Sequence, residues 1–391
     1  MEYLKEQRKK RIMIAVIAGA VLLYICFSVV TYFSIIKPLV DDKVDEITGN
    51  DGTTDGNDSF IDALKITYNY TVDEDKKTCT ITGIAKNTTR KNISLPAEID
   101  GYTVTGIGEN AFAESKLESV IIPASVKSIG KGAFSKCESL IAVYGLEECD
   151  DLKQILDNTF YQCTSLSVIK LPPNLVYIGK KAFLECLSLK SIDLPSKLVT
   201  IDEYGFFGCS SLLSITFPAS IKKMGFAAFA MCISLEEVVV PSSIKDYNNG
   251  MFAGCESLKN IYAADDNMYA ISIDGILYNK SQYVDSQTVL WCYPSGKTEK
   301  EFKIPNSVVV LPDYSFSYNN NLEILYIPKS VTAIYPCTIS RSPNLETIVY
   351  GGTVEEWLSI TIYPEWDLES SNYTIYCTDG QISKDGTITY K

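Results

Sequence analysis

The segment Ala133–Leu140 reads AFSKCESL, and close copies of it recur along the chain. In six copies a Phe lies three residues before a Cys, and a Leu lies three residues after that Cys. Aligned on the Phe, successive copies are separated by 22, 26, 23, 23, 23 and 23 residues. The aligned residues are Phe112, Phe134, Phe160, Phe183, Phe206, Phe229 and Phe252. This period predicts a repeat protein whose similar coils stack on one another.

A second set of residues keeps the same period and defines the rest of the repeat. Pro172, Pro195, Pro218 and Pro241 are each 23 residues apart. Each of them follows an Ile/Val-x-apolar step, whose period of two predicts a short strand with one buried face. Proline ends the strand because it has no N–H to donate. A period of about 20–29 residues with this pattern predicts a β-rich leucine-rich-repeat solenoid.

The repeated cysteines occupy one position in successive coils. Asn319 stands there in the copy around Phe316, and Ser115 stands near it in the first copy. Cys, Asn and Ser share a small size and a polar atom, so we expect an inward side chain that bonds the backbone of a neighbouring loop. This predicted structural ladder comprises Cys137, Cys163, Cys186, Cys209, Cys232, Cys255 and Asn319.

Two other roles for these cysteines were weighed. Zinc requires four ligands around a point, whereas stacked equivalent residues form a line. Disulfides between neighbouring coils are compatible with the distances and remain the alternative. A row of unreactive buried thiols is the preferred interpretation.

Charge and composition restrict the function. The net charge is −13, which disfavours nucleic acid as a partner. The chain has no His, so it lacks the commonest general base and zinc ligand. We find no nucleophile elbow, phosphate loop or zinc motif. Adjacent acids such as Asp265–Asp266 and Glu147–Glu148 are more typical of a solvated surface than of a carboxylate-based hydrolase. The sequence therefore predicts neither an enzyme nor a cofactor or metal site.

Residues 13–36 form an uncharged apolar run of 24 residues, long enough to cross a bilayer. Basic residues precede the run and acidic residues follow it, which places the N-terminus in the cytoplasm and residues 37–391 outside. A cleaved signal peptide is the rival, but its apolar region is usually shorter and ends at a small-x-small site. We therefore expect an uncleaved signal anchor rather than a signal peptide or a buried core helix.

The stretch after this run reads DDKVDEITGNDGTTDGND and carries seven acids and one Lys. Its composition predicts a flexible tether. Asp51, Asp55 and Asp62 partly match a calcium loop, but Thr53 stands where a ligand is needed and the bidentate Glu is missing.

The repeat resembles the BspA-like leucine-rich repeats of bacterial surface proteins, through its coil length and its AFxxC segment. Ser272–Lys280 followed by Leu290–Val308 resembles the hairpin insertion that interrupts such arrays. The segment from Ile66 resembles the family's β-hairpin cap, and the one from Leu345 its closing segment. The resemblance covers about residues 63–391 and implies surface exposure, adhesion and protein–protein contact, without shared catalytic residues. The repeat around Glu147–Leu156 departs from the pattern because it is longer and lacks the Pro.

These observations predict eight regions along the chain. They are a cytoplasmic basic tail (1–12), a transmembrane signal anchor (13–36), an acidic linker (37–62), an N-terminal β cap (63–100), repeats (101–262), a hairpin insertion (263–303), further repeats (304–350) and a C-terminal cap (351–391).

The middle residue of each predicted strand faces outward and forms a candidate binding face. Solenoids use such walls to bind partners, and tyrosines are common contact residues. Equally, Tyr, Thr, Val and Ile simply suit strands. The predicted face comprises Ile121, Tyr144, Lys170, Asp193, Thr216, Val239, Tyr262, Tyr326 and Val349.

The expected function is therefore that of a membrane-anchored extracellular protein that binds host or bacterial surface proteins. A spacer without a specific ligand is the main alternative. Neither the ligand nor the oligomeric state follows from the sequence.

Overall fold

The computed structural model describes residues 66–85, 89–245, 250–280 and 288–391. Residues 66–391 form one compact unit. The fold is a β-solenoid of about 12 turns with coils of roughly 23 residues. The predicted basic tail, anchor and linker (residues 1–62) lie outside the described residues. Within the described part of the chain, no helix has the length and apolarity to cross a membrane.

The N-terminal cap is a hairpin whose second strand joins the coils in parallel. β1 pairs antiparallel with β2, and β2 pairs in parallel with β5. The hairpin thus continues the sheet of the first coils and covers their open end. The strands of this region are β1 (Tyr68–Asp73), β2 (Thr78–Ile84), β3 (Asn92–Ser94), β4 (Glu98–Ile99) and β5 (Tyr102–Ile107).

The following coils each contribute up to two short strands, one to each of two walls. The first wall contains β6, β8, β10, β14 and β15, and the second contains β7, β9, β11, β12 and β13. These strands are β6 (Ser119–Ile121), β7 (Ser128–Ile129), β8 (Ala142–Tyr144), β9 (Gln154–Ile155), β10 (Val168–Ile169), β11 (Tyr177–Ile178), β12 (Thr200–Ile201), β13 (Lys223–Met224), β14 (Glu237–Val240) and β15 (Asn260–Ala263). The long coil around Glu147 also holds a 3-10 turn, Leu146–Glu148.

The rest of the chain adds a hairpin, further coils and a closing cap. Its strands are β16 (Ala270–Ile273), β17 (Ile276–Asn279), β18 (Thr288–Cys292), β19 (Glu301–Lys303), β20 (Val308–Leu311), β21 (Ile324–Ile327), β22 (Ala333–Ile334), β23 (Thr347–Tyr350), β24 (Thr361–Ile362), β25 (Thr374–Tyr376), β26 (Gly380–Ser383) and β27 (Ile388–Tyr390). A short helix, α1 (Val354–Leu358), begins with a capping box between Thr353 and Glu356.

The insertion in the structure is shorter than the predicted one, which spans residues 263–303. β18 pairs in parallel with β20, and β19 pairs in parallel with β21, so both belong to coils. The inserted hairpin itself consists of β16 and β17, which pair antiparallel. At the C-terminus, β26 and β27 reverse direction against β25 and close the first wall.

The repeated Phe side chains form a stacked row through the core. From Phe112 to Phe229 neighbouring ring centroids lie 4.9–5.4 Å apart, and Phe252 continues the row at 6.1 Å. A second row begins with Tyr293 and Phe316, whose centroids are 5.2 Å apart. The hydrophobic core is correspondingly divided into two large clusters that meet at the inserted hairpin.

Each of the eight aligned Phe residues, and Ile339 at the equivalent position of a later coil, lies in a turn with two left-handed residues. The residues two before and two after the Phe have positive φ, from +52° to +76°. The first set is Asn110, Gly132, Asn158, Lys181, Tyr204, Ala227, Gly250, Tyr314 and Cys337. The second set is Glu114, Lys136, Gln162, Glu185, Gly208, Met231, Gly254, Tyr318 and Arg341. Most are not Gly, so each such residue carries a conformational cost of about 1–2 kcal/mol that coil packing must offset.

Candidate binding surface

The residues of the predicted binding face lie on the outer side of the first wall. Lys170, Asp193, Thr216, Val239 and Tyr262 are exposed. Ile121, Tyr144, Tyr326 and Val349 are half-buried. Their inward neighbours, such as Ile261 and Ile348, are buried, which is the alternation that a half-buried strand requires.

Strand pairing brings some of these residues side by side and separates others. Ile121 is paired with Tyr144, Val239 with Tyr262, and Tyr326 with Val349. Asp193 and Thr216 lie in segments without a regular strand. The wall is therefore a series of shorter sheets rather than one continuous surface.

Two residues of the face were missed in the sequence. Lys303 is paired with Tyr326, and Tyr376 is paired with Val349. Lys303 could have been found from Pro305 and Pro328, which are 23 residues apart. The Lys303 ammonium lies 4.9 Å from the Tyr326 ring centroid, so this part of the wall combines a cation with an aromatic face.

The inserted hairpin turns the wall beside Tyr262 into a cleft. The cleft has a volume of about 730 Å3. It lies between the outer side of β15 and the hairpin, and so joins the predicted binding face to the inserted hairpin. Its lining includes Asn260, Tyr262, Asp265, Ile271, Asp274 and Lys280.

Backbone contacts fix the hairpin against β15. Ile261 N donates to Gly275 O at 2.8 Å, and Ser272 Oγ donates to Ile261 O at 2.7 Å. Gly275 has φ +76°, and a Cβ at this position would collide with Asn260 Oδ1. The Asp274–Gly275 turn therefore packs closely on β15, so the cleft has a well-defined wall.

Asn267 ties the base of the hairpin to the preceding coil. It is buried, its Oδ1 accepts from Tyr269 N and Ala270 N, and its Nδ2 donates to Pro241 O. Lys280 Nζ donates to Asn267 O at 3.0 Å. The Lys280 cation is thus engaged with the hairpin's own backbone.

The cleft presents apolar side chains within an acidic rim. Tyr262 and Ile271 line the cleft and are 41% and 39% exposed. Val239, which is paired with Tyr262 on the neighbouring strand, extends this apolar surface beyond the cleft and is 53% exposed. Burial, and secondarily Glu237, raise the pKa of Tyr262, so its hydroxyl remains a hydrogen-bond donor at neutral pH. The carboxylates of Asp265 and Asp274 also line the cleft. This arrangement suits a partner segment that is basic and partly apolar.

The repeated cysteines form a hydrogen-bonded ladder inside the coils. Each of the six thiols is buried, and each donates to the carbonyl oxygen of the Phe in the preceding coil at 3.0–3.3 Å. All eleven cysteines of the described residues are free thiols. Burial raises the pKa of Cys186, Cys209, Cys232 and Cys255, which keeps these thiols protonated and poorly nucleophilic.

Asn319 departs from the predicted ladder. Its Oδ1 accepts from Asn321 N and Leu322 N, which belong to its own coil rather than to a neighbouring loop. An amide accepts as well as donates, so it can serve the turn that directly follows it. The next coil, which the sequence interpretation omitted, resumes the pattern: Ser342 Oγ donates to Phe316 O at 3.1 Å. Its Ile339 lies 23 residues after Phe316, a spacing that could have revealed it.

Among the described residues, no group of three or more Cys, Asp or Glu side chains is placed to hold a metal ion. Burial raises the pKa of Cys186, Cys209, Cys232 and Cys255, as described above. The carboxylates of the cleft lie at its surface.

Solved structures with a similar fold come from bacteria. A leucine rich cell surface protein from Faecalibacterium prausnitzii is 22% identical, with a TM-score of 0.54, over 80% of this chain and 98% of that one. A leucine-rich repeat protein from Bacteroides ovatus is 26% identical, with a TM-score of 0.48, over 79% of this chain and 70% of that one. A comparison with curated protein sequences finds no match.

A family model describes most of the repeats. The BspA type leucine rich repeat region matches in six copies, at residues 80–154, 153–280 and 293–363. These residues make up more than half of the chain and include the Phe row, the thiol ladder and the first wall. The chain therefore belongs to the BspA-type leucine-rich-repeat family.

Proposed function

We propose that this chain is a membrane-anchored extracellular protein that binds a surface protein of the host or of a bacterium. Residues 13–36 anchor it, and the repeats are displayed outside the cell. The observation that carries the proposal is the cleft beside Tyr262, where the first wall and the inserted hairpin converge.

The cleft is suited to protein recognition in shape and in chemistry. Its exposed Tyr and aliphatic side chains offer apolar contact area, and tyrosine is enriched among residues that dominate binding energies. Its acidic rim favours a basic partner segment and disfavours nucleic acid. A volume of about 730 Å3 is large enough for several side chains of a partner.

Support for a location at the cell surface comes from the sequence and from relatives. The apolar run is preceded by basic residues and followed by acidic ones, as in signal anchors. The similar protein from Faecalibacterium prausnitzii is described as a cell surface protein. A display module needs no catalytic centre, and we propose no enzymatic activity.

The proposal is tested by capture of partners with variants of the cleft. Full-length protein in detergent micelles is immobilised and exposed separately to host matrix proteins and to solubilised bacterial surface proteins. We expect captured proteins to be lost with the double variant Tyr262→Ser and Ile271→Ser, because both side chains line the cleft and are exposed. Val72→Ser is the matched control, because Val72 is 43% exposed but lies on β1 of the cap.

Two results would contradict this function. Capture that is equal for wild type and for the cleft variant would remove the cleft from the binding surface. Capture of nothing from either source would favour a spacer that holds the coils away from the membrane.

A further inference from the structure

A second apolar surface lies on the side of the coils that carries the Phe-containing turns, away from the first wall. Aromatic side chains surround a cavity of about 210 Å3, with small residues at its base. We call this cavity the aromatic groove. Its walls are Tyr204, Phe207, Phe226, Tyr314 and Tyr318, and its floor is Ala227, Ala230 and Ala253.

The rings of the aromatic groove meet edge to face. Tyr204 lies 5.7 Å from Phe207 and 5.5 Å from Phe226, at interplanar angles of 71° and 83°. Phe226 lies 5.6 Å from Tyr314. All five aromatic side chains are half-buried, so their remaining surface faces the cavity and the solvent. Such rings form a fixed frame around the small floor residues rather than a collapsed cluster.

The groove spans the junction between the two stacked rows of the core. In most coils the Phe backbone N donates to the next turn, as Phe229 N does to Met251 O. Within the described part of the chain, no such bond joins Phe252 N to the following turn. Tyr314 and Tyr318 come from beyond the junction and contact Gly250 and Gly254. The absence of side chains at these two glycines lets the Tyr314 and Tyr318 rings approach the turn closely.

The polar groups of the groove are hydrogen-bond donors. Among the residues that line it, the only polar side-chain atoms are the three tyrosine hydroxyls. Tyr318 Oη accepts from Arg341 Nη1 at 2.9 Å, which leaves the Tyr318 O–H to donate elsewhere. Burial, followed by a hydrogen bond with the Cys337 thiol, raises the pKa of Tyr314 to about 12, so the Tyr314 hydroxyl remains protonated.

Cations lie at both ends of the groove. The Lys181 ammonium is 5.8 Å from the Tyr204 ring centroid, and the Arg341 guanidinium is 5.3 Å from that of Tyr318. Arg341 is also ion-paired with Glu369 at 2.7 Å, so its charge is balanced, but its Nη1 still donates to the Tyr318 hydroxyl. The cations and the hydroxyls together make the rim rich in hydrogen-bond donors. A complementary ligand offers apolar rings and hydrogen-bond acceptors, with few donors of its own.

We propose that the aromatic groove binds a proline-rich peptide in the polyproline II conformation. Its pyrrolidine rings are compact and apolar, and proline carries no N–H. The carbonyl oxygens of a polyproline II helix point outward and make no internal hydrogen bonds, so they accept from tyrosine hydroxyls. Aromatic-lined grooves on other folds bind such peptides because the ligand loses little conformational entropy.

Shape also favours this ligand over an α-helix. A helix with its side chains is about 10–12 Å wide, which exceeds what a cavity of 210 Å3 admits. A polyproline II helix repeats every three residues, about 9.3 Å, which matches two strand spacings of about 4.7–4.9 Å. Successive ring pairs of the peptide can therefore meet aromatic side chains that are two coils apart. This inference does not rest on the function proposed for the cleft.

The test measures fluorescence anisotropy of labelled decaproline with full-length protein in detergent micelles. A Gly-Ser peptide of equal length is the control ligand. We expect saturable binding of decaproline alone. Ala230→Leu fills the floor and should weaken binding about tenfold or more. Tyr318→Phe keeps the ring but removes one donor, and should weaken binding by a smaller factor. Tyr262→Ser, in the cleft, should leave decaproline binding unchanged.

Thermal unfolding by circular dichroism shows whether each variant is folded. If Ala230→Leu fails to fold, Tyr318→Phe alone tests the proposal, because the Phe ring retains the packing of the Tyr318 ring. Lack of saturable decaproline binding, or binding unchanged in Tyr318→Phe and Ala230→Leu, would overturn the proposal. Displacement of decaproline by chitohexaose at a lower concentration than by unlabelled decaproline would assign the groove to a sugar and also overturn it.

Discussion

Ile276 and Leu277 are consecutive residues of β17, yet their side chains belong to different hydrophobic cores. Leu277 packs in the core that begins at the N-terminal cap, and Ile276 packs in the core of the C-terminal coils. Successive side chains of a strand point to opposite faces. β17 therefore separates the two cores. Its position depends on the Asp274–Gly275 turn that precedes it.

Gly275→Ala is expected to displace the inserted hairpin. Gly275 has φ +76°, and an added Cβ would lie 2.3 Å from Asn260 Oδ1 and 3.1 Å from Asn260 Cα. The clash adds to the backbone cost of about 1–2 kcal/mol. We expect a loss of more than 2 kcal/mol in the free energy of unfolding, measured by urea titration, and faster amide exchange in β15 and β17.

Gly386→Ala is the matched control for this change. Gly386 also follows an Asp in a hairpin turn and has φ +88°, but no atom lies within 4 Å of the added Cβ. Only the backbone cost of about 1–2 kcal/mol should remain. Equal losses in the two variants would show that packing of Gly275 on β15 adds nothing.

Phe206→Ala should be among the most destabilising single changes in the repeats. Phe206 is fully buried and stacks on Phe183 at 4.9 Å and on Phe229 at 5.1 Å. Removal of a buried Phe typically costs about 3–5 kcal/mol. Chemical denaturation should show this loss, whereas Leu213→Ala, at an exposed position of the same coil, should stay within about 0.5 kcal/mol. A near-neutral Phe206→Ala would be inconsistent with a continuous core row.

The period of the repeat and the inward ladder were predictable because they depend on residue types that recur. A buried Phe or a buried thiol must appear at the same place in each coil to meet its equivalents. Lys303 and Ile339 escaped detection because the coils that carry them lack the Phe–Cys pair. The Phe–Cys pattern is lost where a coil borders the hairpin or the closing cap, because there the coil packs against a different element instead of another identical coil.

The cleft and the aromatic groove could not be predicted from the repeat. Tyr314 and Gly250 are 64 positions apart in sequence, and their contact depends on how the hairpin interrupts the stack. The left-handed turns also escaped notice, because residues such as Lys136 and Tyr204 occupy positions where Gly would be the expected signal. Coil stacking enforces this backbone conformation, and no local sequence signal reveals it.

Lys136→Gly should stabilise the protein. Lys136 has φ +58°, and its ion pair with Glu114 is exposed and 3.5 Å long. Glycine relieves the left-handed strain, and the gain is partly offset by the greater entropy of the unfolded chain. We expect an increase of about 0.5–1 kcal/mol in the free energy of unfolding, measured by urea titration.

The same position in another coil provides the reverse change. Gly208 has φ +71°, and Gly208→Ala should lose about 1 kcal/mol by the same measurement. Ser135→Gly, next to Lys136 but outside the left-handed set, should destabilise the turn. A Lys136→Gly variant as unstable as Ser135→Gly would contradict the proposed strain.

The buried thiols should make the fold sensitive to alkali. Burial raises the pKa of Cys209, Cys232 and Cys255 well above their ordinary value of 9.0. In the unfolded chain these thiols ionise near that value, while in the folded chain they stay protonated. Their contribution to stability is therefore complete below about pH 8.5 and is lost as the pH rises further. Each thiol should contribute a slope of up to about 1.4 kcal/mol per pH unit.

Urea titrations between pH 7 and pH 10.5, under reducing conditions, measure this slope. The matched variant replaces Cys209, Cys232 and Cys255 with Ser, which is found at the equivalent position as Ser342 and does not ionise in this range. Its stability should fall less steeply above pH 9 than that of the wild type. The remaining slope should come from the other buried thiols, such as Cys186, and from buried tyrosines such as Tyr278, whose pKa burial raises to about 12. Parallel slopes in the two proteins would show that the ladder thiols ionise as readily in the folded chain as in the unfolded one.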